Sequence, residues 1–147
     1  MRNGNDILKN YPVIFEQKIA WGDMDAFGHV NNVMYYRYIE SARIRYFDQL
    51  DVFNEAVLTV VASNQCKYLK PVFYPDTVYV GARVEEIRNS AIRMHYSLYS
   101  TAQQAVVATG EAVVVFVERE TMQKTLIPTA VREKMISLEQ QVNHNLL

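Results

Sequence analysis

The strongest constraint on this chain is a change of hydrophobic period at about Leu58. From Asn32 to Leu50 apolar side chains recur with the spacing of a helix, whereas beyond Leu58 they alternate with the spacing of strands. At ~100° per residue, Tyr35, Ile39, Ala42, Tyr46 and Leu50 share one helical face. Tyr36 and Phe47 flank that face, and Arg37, Ser41 and Asp48 lie opposite. Arg37 with Glu40, and Arg45 with Asp48, have the i,i+3 spacing of surface ion pairs. Such pairs add only about 0.2–0.5 kcal/mol each, so burial of the aromatic face must hold the helix in place. An Asn at 31 or 32 supplies the side-chain acceptor of an N-cap.

Downstream, Val78, Val80, Ala82 and Val84 alternate, as do Ile92, Met94, Tyr96 and Leu98. The pattern predicts strands at about 58–70, 76–88, 91–101 and 104–118, joined by short turns at Pro71 to Asp76, Arg88-Asn89-Ser90 and Ala102-Gln103. Long strands with short connections pair antiparallel. Val13 to Ala20 predicts a first strand, residues 53–56 a connector, and residues 129–140 a last helix after Pro128. The first ten residues are polar and are expected to be loosely held. One long helix against a highly curved antiparallel sheet of about five strands is an α+β architecture, expected as a single domain over 1–147. Val106 to Val117 is apolar on both faces, which calls for cover on both. The helix supplies one side; an ordinary central-strand environment or a second subunit supplies the other.

Composition excludes several classes of function. The formal net charge is −1 with both signs interspersed, which argues against a nucleic-acid binder relying on a general positive field. A single cysteine, Cys66, can form neither an internal disulfide nor a cysteine metal cluster, and its apolar neighbourhood predicts a buried bystander. The histidines, His29, His95 and His144, lack ligand-like spacing, so no metal and no cofactor are expected. No run approaches the ~20 apolar residues of a membrane span, and Met1 to Asp6 lacks the apolar core of a secretory signal. A cytoplasmic protein is the expectation.

The chemistry concentrates in Trp21-Gly22-Asp23-Met24-Asp25-Ala26-Phe27-Gly28-His29-Val30-Asn31-Asn32. Two carboxylates, a histidine and two amides crowd a loop that runs into a helix N-terminus. The first helical turn exposes unpaired N–H groups and the positive end of the dipole, and such a place can polarise a carbonyl or hold an oxyanion. A carboxylate in the same loop can attack that carbonyl or activate a water. Taken singly, the same residues also serve as turn-formers and caps.

The run D-x-D-x-x-G-H-V-N-N-x-x-Y at 23–35, followed by Glu40-Ser41-Ala42-Arg43, resembles the hotdog-fold acyl-CoA thioesterases, and among them the 4-hydroxybenzoyl-CoA thioesterase branch and its long-chain acyl-CoA relatives. Tyr68-Leu69-Lys70-Pro71 with Tyr74-Pro75-Asp76 is similar to that family's second motif, and Ile127-Pro128 with the closing helix to its end, so the resemblance spans nearly the whole chain. It implies hydrolysis of acyl-CoA to free acid and CoA, with Asp25 as the catalytic carboxylate and Asp23 as a loop organiser. Counting along the motif, the backbone N–H that polarises the thioester carbonyl falls on Asn32. The loop also resembles plant acyl-ACP thioesterases, in which an Asn and a His assist catalysis. His29 matches that histidine while Phe27 takes the asparagine position, so His29 is expected to contact substrate. A second hotdog branch uses a helix carboxylate, but Glu40 lies off the buried face, where a surface ion pair accounts for it.

The resemblance further implies a homodimer or homotetramer with the site built between chains. Lys67, Lys70, Arg88 and Arg93 are candidates for the CoA nucleotide. A hotdog hydratase would space its aspartate and histidine five apart; here His29 lies four from Asp25 and six from Asp23. An acyl-ACP thioesterase and a non-catalytic acyl-CoA-binding protein remain as alternatives.

Overall fold

A computed structural model describes residues 4–146. The elements in chain order are α1 (Gly4–Ile7), β1 (Val13–Lys18), a 3-10 turn (Trp21–Asp23), α2 (Asn32–Gln49), a second 3-10 turn (Val52–Asn54), β2 (Val57–Tyr68), β3 (Thr77–Ile87), β4 (Ala91–Ser100), β5 (Ala105–Glu118) and α3 (Thr129–Gln140). The strands form one antiparallel sheet in the order β1-β3-β4-β5-β2. This is the α+β hotdog architecture.

The position of α2 follows from that order. The chain leaves β1 on one edge of the sheet and re-enters as β2 on the other. Eighteen helical residues rise roughly 27 Å. Five strands at their usual spacing span roughly 19 Å, so the helix can carry the chain across the whole concave face. Register shifts at Val61/Ser63, Val84/Glu86 and Leu98/Tyr99 bend and twist the strands, which helps the sheet curve round the helix.

The expected helical face is the buried one: Tyr35, Ile39, Ala42, Tyr46 and Leu50 are all 2 % exposed or less. They share a core with Val80, Ala82, Met94, Tyr96, Ala112 and Val114. Gly110 of β5 permits the closest approach, because a Cβ there would lie 2.7 Å from Ile39 Cδ1 and 3.2 Å from the Gln65 carbonyl oxygen. Arg43 is buried in the same layer and donates to the Tyr96 hydroxyl at 3.1 Å. That oxygen lies in turn 3.3 Å from Met94 Sδ.

Three expectations need correction. The N-terminal segment is docked from Leu8 onward: Leu8 is fully buried and clusters with Tyr11 and Tyr99. Among the described residues the pairs Arg37–Glu40 and Arg45–Asp48 do not form; Arg45 lies over the Phe15 ring at 5.3 Å instead, where its planar cation gains from the aromatic face. Cys66 is half-buried rather than buried, since β2 is an edge strand. On β5, Ala108, Gly110, Ala112, Val114 and Phe116 are buried, as are Val107 and Val117, while Val113 and Val115 between them are only half-covered, so the cover expected on both faces is incomplete within one chain.

Candidate active site

The loop between β1 and α2 is a miniature hairpin. Met24 and Val30 form an antiparallel bridge. The Asp25 N–H donates to the His29 carbonyl at 2.8 Å and the Gly28 N–H to the Asp25 carbonyl at 3.2 Å. Gly28 turns the chain at φ +88°, a conformation that a side chain would strain. Asp23 closes the base of the loop. Its Oδ2 accepts from the Ala20 N–H at 3.1 Å and from the Tyr38 hydroxyl at 2.8 Å, and its carbonyl accepts from the Asn31 N–H at 2.9 Å. Burial, together with this carboxylate, pushes the Tyr38 hydroxyl far above its ordinary pKa, so it remains a donor. Tyr38 is thus a site-building residue that helical periodicity alone could not single out from the other tyrosines of α2.

Asp25 itself is partly covered, with 23 % of its side chain exposed. Its Oδ1 accepts from the Phe27 N–H at 2.8 Å and the His29 N–H at 3.5 Å, which leaves Oδ2 turned to His29 Nδ1 at 3.6 Å. The His29 ring meets Phe73 edge-on, with centroids 6.3 Å apart. Phe27, at the asparagine position of the plant enzymes, points outward and is 86 % exposed.

The helix N-terminus completes the arrangement. Asn31 is the cap, its side chain accepting from the Val33 N–H at 3.2 Å, while its carbonyl takes the Met34 N–H at 2.9 Å. Asn32 is the first helical residue, and a main-chain N–H in that position has no acceptor within the helix. Asn32 is also one of the residues that line an open cleft of about 340 Å³, with His29, Tyr35, Tyr68, Leu69, Lys70 and Pro71. The second wall is the segment after β2, joined to the loop by the Val30 N–H donating to the Val72 carbonyl at 2.8 Å.

Of the residues expected from sequence, His29 and Asn32 therefore share one cleft. Asp25 does not line it; its carboxylate is next to the cleft through His29. Glu40 stands exposed on the helix. Among the basic candidates, Arg88 and Arg93 pair with Glu86, and Arg93 also with Glu111, leaving Lys70 on the cleft. Lys67 borders a separate hollow of about 220 Å³ along the β2–β5 ladder. The described residues include no grouping of three His, Cys, Asp or Glu that could hold a metal ion. No helix among them is long and apolar enough to cross a membrane.

Comparison with known proteins adds to this geometry. A family model described as thioesterase-like superfamily matches residues 19–135. The protein YsmA of Bacillus subtilis (strain 168) is 33 % identical over 105 residues, covering 70 % of this chain and 71 % of its own. A thioesterase from Thermus thermophilus, solved in complex with coenzyme A and Zn, superposes with a TM-score of 0.80 at 34 % identity, over 89 % of this chain and 97 % of that one. The PA5185 protein of Pseudomonas aeruginosa strain PAO1 gives a TM-score of 0.80 at 30 % identity, over 89 % and 94 % of the two chains.

Proposed function

This chain belongs to the thioesterase-like superfamily, and on that premise we propose that it hydrolyses acyl-CoA thioesters to free acid and CoA, with Asp25 as nucleophile or general base. The observation that carries this reading is a cleft lined by His29 and by the first residue of α2, Asn32, with the Asp25 carboxylate 3.6 Å behind the His29 ring. The thioester carbonyl lies against the first turn of α2, its oxygen toward the Asn32 N–H. A donor aimed at the growing oxyanion lowers the barrier by ~2.7–4 kcal/mol in comparable sites, so its effect is large. His29, braced by Phe73, contacts the substrate. Asp25 Oδ2 either attacks the carbonyl, forming an anhydride that water opens, or takes a proton from an attacking water. In both routes the sulfur leaves as the CoA thiol and the acyl group leaves as the acid.

The reading includes a homodimer or homotetramer with the site between copies. Two features support it. Strand β2 offers a twelve-residue edge with no strand on its outer side among the described residues, and such an edge is a template for pairing. Around the loop, Trp21, Phe27, Val33 and Phe73 are 75 %, 86 %, 65 % and 50 % exposed, and so much apolar surface marks a contact region. A second copy laid over it would close the cleft and exclude water from the carboxylate.

A thiol-release assay over short, long and aromatic acyl-CoAs, with one acyl group also presented on ACP, tests the reading. Faster turnover on CoA than on ACP is the expected result. Saturable binding without thiol release would replace the enzyme by an acyl-CoA-binding protein, and a preference for ACP would replace the carrier.

A further inference from the structure

The end of β2 reaches into the first turn of α2 at one point. The Tyr68 hydroxyl donates to the Asn32 main-chain carbonyl at 3.1 Å, across 36 residues of sequence. The ring is held by Tyr35, which it meets edge-on at a centroid distance of 4.9 Å with an interplanar angle of 86°. Tyr68, Tyr35 and Asn32 all line the 340 Å³ cleft. The acceptor is informative. The Asn32 carbonyl belongs to the same residue as the N–H assigned to the oxyanion, and an N-terminal turn is where helices fray. Asn31 restrains that turn from the loop side through the Val33 N–H. Tyr68 restrains it from the sheet side.

We propose that Tyr68 is a positioning residue for thioester hydrolysis: its hydroxyl pins the Asn32 carbonyl so that the N–H of the same residue keeps its aim at the substrate oxygen. This rests on the reading that Asn32 supplies the oxyanion donor. Partial desolvation, with the Cys66 thiol and Tyr36 hydroxyl close by, raises the pKa of the Tyr68 hydroxyl to about 12, so it stays a donor through the range in which an acyl-CoA can be assayed. A donor stabilising charge that appears only in the transition state affects kcat more than KM. Misdirecting it costs part of the ~10²–10³-fold that its complete removal would cost.

Tyr68→Phe keeps the edge-on ring and removes only the hydroxyl, whereas Tyr68→Leu removes both. Two measurements on the intact protein decide the matter. In Tyr68→Phe, kcat for acyl-CoA should fall roughly 5- to 50-fold with KM within about 2-fold, a deficit constant from about pH 6 to pH 9. In the same variant the Val33 amide nitrogen, which shares a peptide plane with the Asn32 carbonyl, should shift. Backbone order parameters at Asn32 to Met34 should drop below the ~0.85 of rigid backbone. Unchanged order parameters and an unshifted Val33 nitrogen in Tyr68→Phe would overturn the tether. So would wild-type kinetics in Tyr68→Phe beside a loss confined to Tyr68→Leu, which would make ring packing the whole contribution. Wild-type protein that releases no thiol would defeat the hydrolase reading alone, since the order parameters judge the tether without turnover.

Discussion

Two adjacent asparagines start α2, one a cap and the other the proposed oxyanion donor, and their side chains should respond differently to removal. Asn31 Oδ1 satisfies the Val33 N–H, so Asn31→Ala strips a cap and should cost about 1 kcal/mol. In a domain of this size that lowers Tm by roughly 2–4 °C. In the proposed mechanism Asn32 acts through its main chain, so Asn32→Ala should keep acyl-CoA turnover within a few-fold of wild type; thermal unfolding and thiol release on the pair check both. A large kinetic loss in Asn32→Ala would assign the task to its side chain instead. The loop motif makes His29 and Asn32 legible in the sequence, because the aspartates, glycine, histidine and cap are contiguous. Tyr38 and Tyr68 are not legible there in these roles. Each acts on a partner far along the chain, Asp23 fifteen residues away and Asn32 thirty-six, and nothing in local spacing marks which tyrosine has such a partner. Asp25 is legible as a type of residue but not in its placement beside the cleft rather than in it, which depends on how its own loop folds back to donate N–H groups to Oδ1.

Between elements, a buried polar joint ties α3 to the rest of the fold. Glu139 is fully buried. Its Oε2 accepts from the Tyr46 hydroxyl of α2 at 2.5 Å and the Val84 N–H of β3 at 2.9 Å, and its Oε1 meets His144 Nδ1 at 2.7 Å. His144 Nε2 lies 3.7 Å from Glu85. Burial is the largest influence and raises the Glu139 pKa above the ordinary 4.5, although these hydrogen bonds oppose it. A raised folded-state value means that the native protein holds this proton more tightly than the unfolded chain. The resulting stability is fully present below about pH 4.5 and is lost as pH rises through the raised value. Glu139→Gln cannot lose the proton, so its stability relative to wild type should improve as pH rises above about 4.5 in denaturant titrations. A difference between the two proteins that stays flat with pH would contradict this. The elements themselves follow from periodicity: α2 at 32–49 against an expected 32–50, and α3 at 129–140 as expected. The docking of residues 8–11 does not, because Leu8 and Tyr11 stand in a segment too short to make a periodic signal.

At the scale of the molecule, one chain leaves an edge strand open, Val113 and Val115 of β5 half-covered and an apolar rim around the loop. Sedimentation at micromolar concentration should therefore show a dimer or tetramer, and lysines placed at Val61 and Ser63 on the β2 edge should give monomers that have lost thioesterase activity. A fully active monomer would reject a shared site. The hotdog sheet is legible in the alternation beyond Leu58, whereas the surface that covers it belongs to no single sequence pattern. Catalysis as proposed turns on one carboxylate beside one helix N-terminus. Thiol release from an acyl-CoA by Asp25→Asn, run beside wild type with both shown to be folded, measures it most directly. A loss in kcat of at least about 100-fold is the predicted result, in line with the ~10²–10⁴-fold typical of a positioned acid or base; turnover kept within a few-fold would contradict it.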